Sequence, residues 1–302
     1  MKLALLGNDL DALALARAAA AAGHAVVWVA DAPNLPEFDD CLAPVEQWED
    51  LFDDDLADAV IVGRGSADPQ LCSRRVQELV KQGRAVLTTF PLVPSVLSYF
   101  EIDMARGESG AAVRHFNPVL GSAPLELLRT ALAGTLAELG TVESVTCERA
   151  LADRSRENVM WHFARDVEML DAVVGGLDRV GAHGGAGRGP DDPQAYAGLS
   201  VQLSGRDERP VRWNVVPAHG DPAMRVTLLG EQGRVTVVWD VAGRAVRATL
   251  HTGAGDKDFP LSESDAAARA IEELAAACGP APSAARSTWG AALHAMELAD
   301  TI

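Results

Sequence analysis

His162 and Asp166 lie four residues apart in the run WHFARDVEMLDAVVGG, whose apolar spacing is helical. At i and i+4 they share one helix face, where a carboxylate can orient an imidazole and tune it as a general base near neutral pH. A purely structural His–Asp pair uses the same spacing. Arg165 and Glu168, three apart on the same helix, have the separation of a simple salt bridge. A second group of polar residues stands near the start, in Gly7-Asn8-Asp9-Leu10-Asp11-Ala12, where Asp9 or Asn8 is placed to cap the following helix. His24, His115, His183, His219, His251 and His294 show no ligand spacing. Cys41, Cys72, Cys147 and Cys278 are far apart, so neither a metal site nor a disulfide framework is expected. Arg154 and Arg156 mark a loop that could hold an anion or could simply be solvated.

These groups need elements to position them. In the first third, short β-rich runs alternate with helical ones: a strand over Leu3 to Leu6 stopped by Gly7, a helix from Asp11 to Ala22, and a strand from His24 to Ala30 ending at Asp31. The strand DAVIV (58–62), a helix from Pro69 to Gln82 and the strand RAVLT (84–88) follow. Such alternation predicts βαβ crossovers and a parallel sheet covered on both faces. After about residue 118 the pattern changes. A helix (125–139), a strand (141–149) and a helix (161–174) precede four β-rich runs at 196–203, 211–216, 224–229 and 234–240, with a fifth at 244–252. The turn GEQG joins two of them. Helices at about 264–277 and 284–301 close the chain. The fold class expected is α/β: a Rossmann-like doubly wound parallel sheet over 1–118, then an α+β domain with an open-faced mixed or antiparallel sheet over 119–302.

Length and composition bound the function. A chain of 302 residues with 48% hydrophobic content has enough core for two domains. Its 43 acidic and 26 basic residues give a net charge of −17, which disfavours nucleic acid and anionic membrane as partners. Glu37 to Asp58 carries ten acidic residues and no basic one, the composition of a solvated face. The apolar run at the N-terminus is too short for a signal peptide, and no stretch reaches the roughly 18 apolar residues of a membrane span. A soluble, cytoplasmic protein is expected. A sheet with one uncovered apolar face would also predict a homo-oligomer.

Several segments together resemble the Gfo/Idh/MocA family of NAD(P)-dependent oxidoreductases: the first strand with its turn glycine, DAVIVG, GRAVLTTFPL, ALAGTLAELGTVESV, RDVEMLDAVVGG, the hairpin VTLLGEQGRVTVVW, and STWGAALHAMELAD. They occur in the family's order and cover most of the chain. The resemblance implies a Rossmann domain, a substrate domain with an open-faced sheet, a nicotinamide cofactor and a sugar or cyclitol substrate.

The positions that carry the family's chemistry depart from its pattern. A dinucleotide fold uses three small residues after its first strand. Gly7 and Ala12 supply the first and third, but Asp9 stands at the second, where backbone should approach the pyrophosphate. Asp31, 24 residues beyond Gly7, is placed for the adenosine ribose and favours NAD over NADP. In a doubly wound sheet the loop Gly63-Arg64 neighbours the first turn, so Arg64 is expected either to neutralise Asp9 or to be an exposed loop arginine. Where the family has Glu-Lys-Pro, this chain has Thr89-Phe90-Pro91, and Phe90 offers neither proton nor positive charge. Its bond to Pro91 has a raised chance of being cis. Aligned on Gly175, Arg165 and Glu168 replace the family's His and Asp, leaving His162 and Asp166 as the substitute pair. The sequence thus supports two readings: an NAD(P)-linked oxidoreductase acting on a small molecule, or a ligand-binding or assembly protein, without cofactor, that keeps the fold.

Overall fold

A computed structural model of the protein describes residues 1–7, 9–30, 43–44, 48–53, 55–64, 68–184, 192, 194–219, 223–240, 245–261, 265–278 and 289–302. The chain divides into two compact units, Met1–Pro118 with Asp265–Met296, and Val119–Ser264 with Glu297–Ile302.

The first unit opens with β1 (Lys2–Leu6), α1 (Leu10–Ala21), β2 (Ala25–Ala30), β3 (Ala43–Pro44), β4 (Ala59–Val62), α2 (Pro69–Lys81), β5 (Ala85–Thr89), α3 (Val96–Ser109) and β6 (Val113–Phe116). All strand pairs are parallel, in the order β3-β2-β1-β4-β5-β6. Leu3 to Leu6 and Ala59 to Val62 are buried without alternation. Continuous apolar runs of this kind mark strands covered on both faces. On one face α1 brings Ala12, Ala16 and Ala19, residues small enough for the helix to lie close to Leu3, Leu5 and Ile61.

The second unit contains α4 (Ala123–Leu132), β7 (Val142–Leu151), α5 (Arg156–Val174), β8 (Asp178–His183), β9 (Ser200–Ser204), β10 (Pro210–Pro217), β11 (Met224–Gly230), β12 (Gly233–Trp239), β13 (Ala245–Thr252) and β14 (Gly255–Asp258). Its eight-stranded sheet runs β14-β13-β12-β11-β7-β10-β9-β8 and is antiparallel except for the parallel pair β7/β10. Period-2 burial gives this sheet an inner row of Val145, Cys147, Val211, Trp213, Val226, Leu228, Val235 and Val237. The other face carries a ladder of Gln202, Arg212, Thr146, Thr227, Thr236 and Thr249 across six adjacent strands. That face is mainly polar. The apolar surface on which the expected homo-oligomer rested is therefore not what these residues present.

The last helices are α6 (Ala266–Ala277) and α7 (Trp289–Asp300). The sequence suggests a second domain running unbroken to residue 302, and here the structure differs. Ala267, Ile271 and Leu274 of α6 pack with α1 into the core of the first sheet, and Arg114 of β6 pairs with Glu273 at 2.7 Å. One helix is too narrow to cover the β1-β4-β5-β6 face, so the chain returns to supply the second.

Element bounds differ where polar contacts intervene. The helix expected over 125–139 ends at Leu132, because Thr135 folds back with both its N–H and its Oγ1 donating to the Thr130 carbonyl. The strand expected from Tyr196 begins only at Ser200. Before it, the Tyr196 N–H donates to the Arg154 carbonyl and the Arg154 guanidinium to the carbonyl of Ala197 and the amide oxygen of Gln194. Arg154 is thus a brace for this turn. Among the described residues no helix is long and apolar enough to cross a membrane, and no cluster of His, Cys, Asp or Glu could hold a metal.

Candidate functional site

In a doubly wound sheet, ligands bind beyond the carboxyl ends of the strands at the point where strand order reverses. Here that point lies between β1 and β4. Gly7 leaves β1 with φ +85°, and a Cβ there would stand 2.5 Å from the Gly63 carbonyl oxygen. Across the reversal, a Cβ on Gly63 would meet the Ala12 methyl at 2.5 Å and Asp9 Oδ2 at 3.1 Å. The two loops therefore touch through positions that only glycine can occupy.

Asp9 stands at the centre of this contact. It caps α1, its Oδ1 accepting the Ala12 N–H at 2.8 Å. Its Oδ2 accepts the Arg64 N–H at 2.5 Å and the Thr89 hydroxyl at 2.9 Å, and Arg64 Nε lies 3.7 Å away. Three strand ends, those of β1, β4 and β5, thus converge on one carboxylate whose side chain is 12% exposed. The sequence anticipates the Arg64–Asp9 encounter. It gives no sign that the Arg64 main chain is a donor as well, or that Thr89 is a third partner.

Phe90 and Pro91, one and two residues beyond Thr89, turn away into the core. The Phe90–Pro91 peptide is cis. Phe90 is 1% exposed, with its ring edge-on to Tyr99 at 5.9 Å and to His115 at 5.1 Å. Tyr99 stacks on Trp289 at 5.1 Å, and its hydroxyl accepts the Leu92 N–H at 2.7 Å. This column of rings accounts for an aromatic residue at position 90. Asp31 lies outside the described residues.

The other candidates lie on α5, in the second unit. Asp166 is wholly buried. Arg149 of β7 grips it with a two-pronged fork, Nε to Oδ2 at 2.9 Å and Nη2 to Oδ1, and Trp213 Nε1 donates to Oδ2 at 2.9 Å. The Trp213 ring also meets Phe163 edge-on at 4.9 Å. Burial alone would lower the Arg149 guanidinium, but the charge and hydrogen bonds of Asp166 outweigh it and hold it above its ordinary value. Burial, then the Asp166 charge, pushes the neighbouring Cys147 thiol well up. A carboxylate with both oxygens engaged by the sheet is a fixed counter-charge to Arg149. Glu168 is also buried, while His162 and Arg165 are half-buried on the same helix. Of the residues singled out in the sequence, Gly7, Asp9, Gly63 and Arg64 are brought into contact. Arg149 and Trp213 had no motif to mark them, and Thr89 was marked only as the residue before Phe90-Pro91.

No family model matches the chain, and no curated protein matches it. Solved structures do. Biliverdin reductase from Synechocystis, in complex with biliverdin and NADP+, is 16% identical, with a TM-score of 0.74 over 99% of this chain and 97% of that one. A 3-ketoreductase from Actinomadura kijaniata, in complex with NADP and TDP-benzene, is 16% identical, with a TM-score of 0.78 over 100% of this chain and 96% of that one. A provisionally named myo-inositol dehydrogenase from Sinorhizobium meliloti is 19% identical, with a TM-score of 0.74 over 99% and 95%. At such identities the likeness is one of fold. The chain has the two-domain α/β fold of Gfo/Idh/MocA-type oxidoreductases.

Proposed function

We propose that this chain is a Gfo/Idh/MocA-like oxidoreductase-scaffold protein in which NAD(P)-dependent sugar or cyclitol dehydrogenase activity has been lost and the fold retained for ligand binding or assembly. The observation that carries this reading is the engagement of Asp9. A dinucleotide needs its diphosphate close to the backbone at the α1 N-terminus, where free N–H groups and the helix field favour an anion. Here the Ala12 N–H and the Arg64 N–H already serve a carboxylate of the chain. Two like charges about 4 Å apart repel by about 1 kcal/mol in water and about 4 kcal/mol at the effective dielectric of a protein surface. The larger of these losses turns micromolar binding into about millimolar binding. The residues present therefore do not fit a dinucleotide diphosphate. Phe90 and Asp166 agree with this, one sunk in an aromatic column and the other spent on Arg149.

The rival reading, an active NAD(P)-linked oxidoreductase, draws on the retained strand order and on Gly7. Titration with NADH and with NADPH, followed by nucleotide fluorescence or calorimetry, separates the two. No saturation at millimolar concentration is expected. Saturable binding below about 100 µM would overturn the closed-crevice reading and revive the rival.

A further inference from the structure

The first sheet is covered by α2 and α3 on the face away from α1 and α6, and these two helices pack side by side. Each is the crossover between two parallel strands, so they run in the same direction. Their inner faces are buried through Val76, Leu79 and Val80 on α2 and Tyr99, Ile102 and Ala105 on α3. The outer face does not have the polar surface that a solvated helix layer needs. On α3, Leu97, Phe100 and Met104 stand at i, i+3 and i+7 and are 70%, 41% and 66% exposed, and Leu71 of α2 is 37% exposed. Half of the eight exposed large apolar side chains among the described residues therefore lie on this one layer.

The charges on the same layer are matched. Arg74 and Lys81 of α2 and Glu101 and Glu108 of α3 are all exposed. Each pair is separated by seven residues, two helical turns, so its members share a face. Each pair also occupies the sixth and thirteenth positions of its own helix. The helices start from the same end of the sheet: α2 begins seven residues after Val62 and α3 eight after Thr88, and Val62 pairs with Thr88. Lys81 also reaches Glu78 at 2.9 Å, and Arg106 and Asp103 of α3 satisfy each other at 2.8 Å.

We propose that this layer is the contact between two copies of the chain, related by a twofold axis that runs along the helices midway between α2 and α3. Such an axis sets α2 of one copy over α3 of the other, in parallel, and does so twice. Arg74 and Lys81 then meet Glu101 and Glu108 of the opposite copy, around a centre built from Leu97, Phe100 and Met104. The face is its own complement, which is why the occupant is a second copy: a chain of net charge −17 meets a like chain through the one pairing that sets opposite charges together. Stacking α3 on α3 would instead bring Glu101 against Glu101. Helices of this length are about 20 Å long and about 10 Å apart, so each copy contributes about 400 Å², half the share of a standard interface. A weak, reversible dimer follows. It does not rest on the reading of the nucleotide crevice, and NADH titration leaves it untouched.

The test is sedimentation velocity of the full chain. The parent should pass from monomer to dimer between about 1 and 100 µM. E101K/E108K makes both helices basic and R74E/K81E makes both acidic, and each variant alone should dimerise at least about tenfold more weakly. An equimolar mixture of the two variants should regain the dimer, because every helix then faces its opposite. Both variants remain net acidic, so general attraction between them cannot produce that result. L97S/M104S changes only exposed side chains and should weaken the dimer by about tenfold without altering the thermal midpoint; it carries the test if a charge-reversed variant does not fold. A parent that stays monomeric at 100 µM, a dimer that persists in both charge-reversed variants, or a mixture that fails to associate overturns the proposal.

Discussion

Asp9 and Asp166 are two carboxylates that the sequence singles out as candidate site residues, and each is claimed by the protein's own donors. They are claimed differently. Asp9, at the rim of the first sheet, is held by two main-chain N–H groups and a hydroxyl, with the Arg64 side chain 39% exposed beside it. Asp166, at 0% exposure in the second unit, is held by side chains alone, a guanidinium fork and an indole. Main-chain donors are placed by the loops themselves and remain whatever the side chain becomes. Side-chain donors serve only the partner they were packed with. One carboxylate ties loop main chains together at a sheet rim; the other is part of a core.

That contrast can be tested by substitution. D166N should be the most damaging change, costing about 3–5 kcal/mol in urea unfolding, because it strands the buried Arg149 without a counter-charge. D9N keeps the cap and should cost only about 1–2 kcal/mol; a loss equal to that of D166N would erase the distinction. G7A places a side chain at φ +85° and 2.5 Å from the Gly63 carbonyl, and should cost about 1–3 kcal/mol while D166N-type core damage is absent from near-ultraviolet circular dichroism. T89V removes one of the Asp9 donors and should lower stability by about 1 kcal/mol. A milder check uses thiol labelling at pH 8. Cys147, with its thiol pushed well up by burial beside Asp166, should stay unlabelled until the chain unfolds, whereas the exposed Cys278 should react. Early labelling of Cys147 would show the Asp166 region to be open.

Much of the first sheet is legible in the sequence because its strands are unbroken apolar runs between helix signals, and because a carboxylate at a turn needing glycine stands out. The Arg64–Asp9 encounter follows from strand order. Thr89 does not, since a threonine at the end of a strand looks like any other β-branched residue until the β5 terminus is set beside β1. Arg149 had a fainter signal: on β7 it falls in the period-2 series Val145, Cys147, Leu151, and a charge on a buried face demands a partner. Finding that partner takes the packing of α5 on the sheet. The reach of α6 back to α1 was hidden for the same reason, as an apolar helix stripe does not say which sheet it will cover.

That return of α6 sets an order of assembly. On the ribosome, the N-terminal sheet emerges first but lacks half of one cover until residues beyond 264 have been made, whereas the sheet spanning β7 to β14 is encoded by one continuous stretch. The later-synthesised unit is thus free to fold while the earlier one still lacks the α6 cover over β6, where Phe116 lies. A nascent or truncated chain ending near residue 264 would offer that bare strip to chaperones, or to another copy in the same condition.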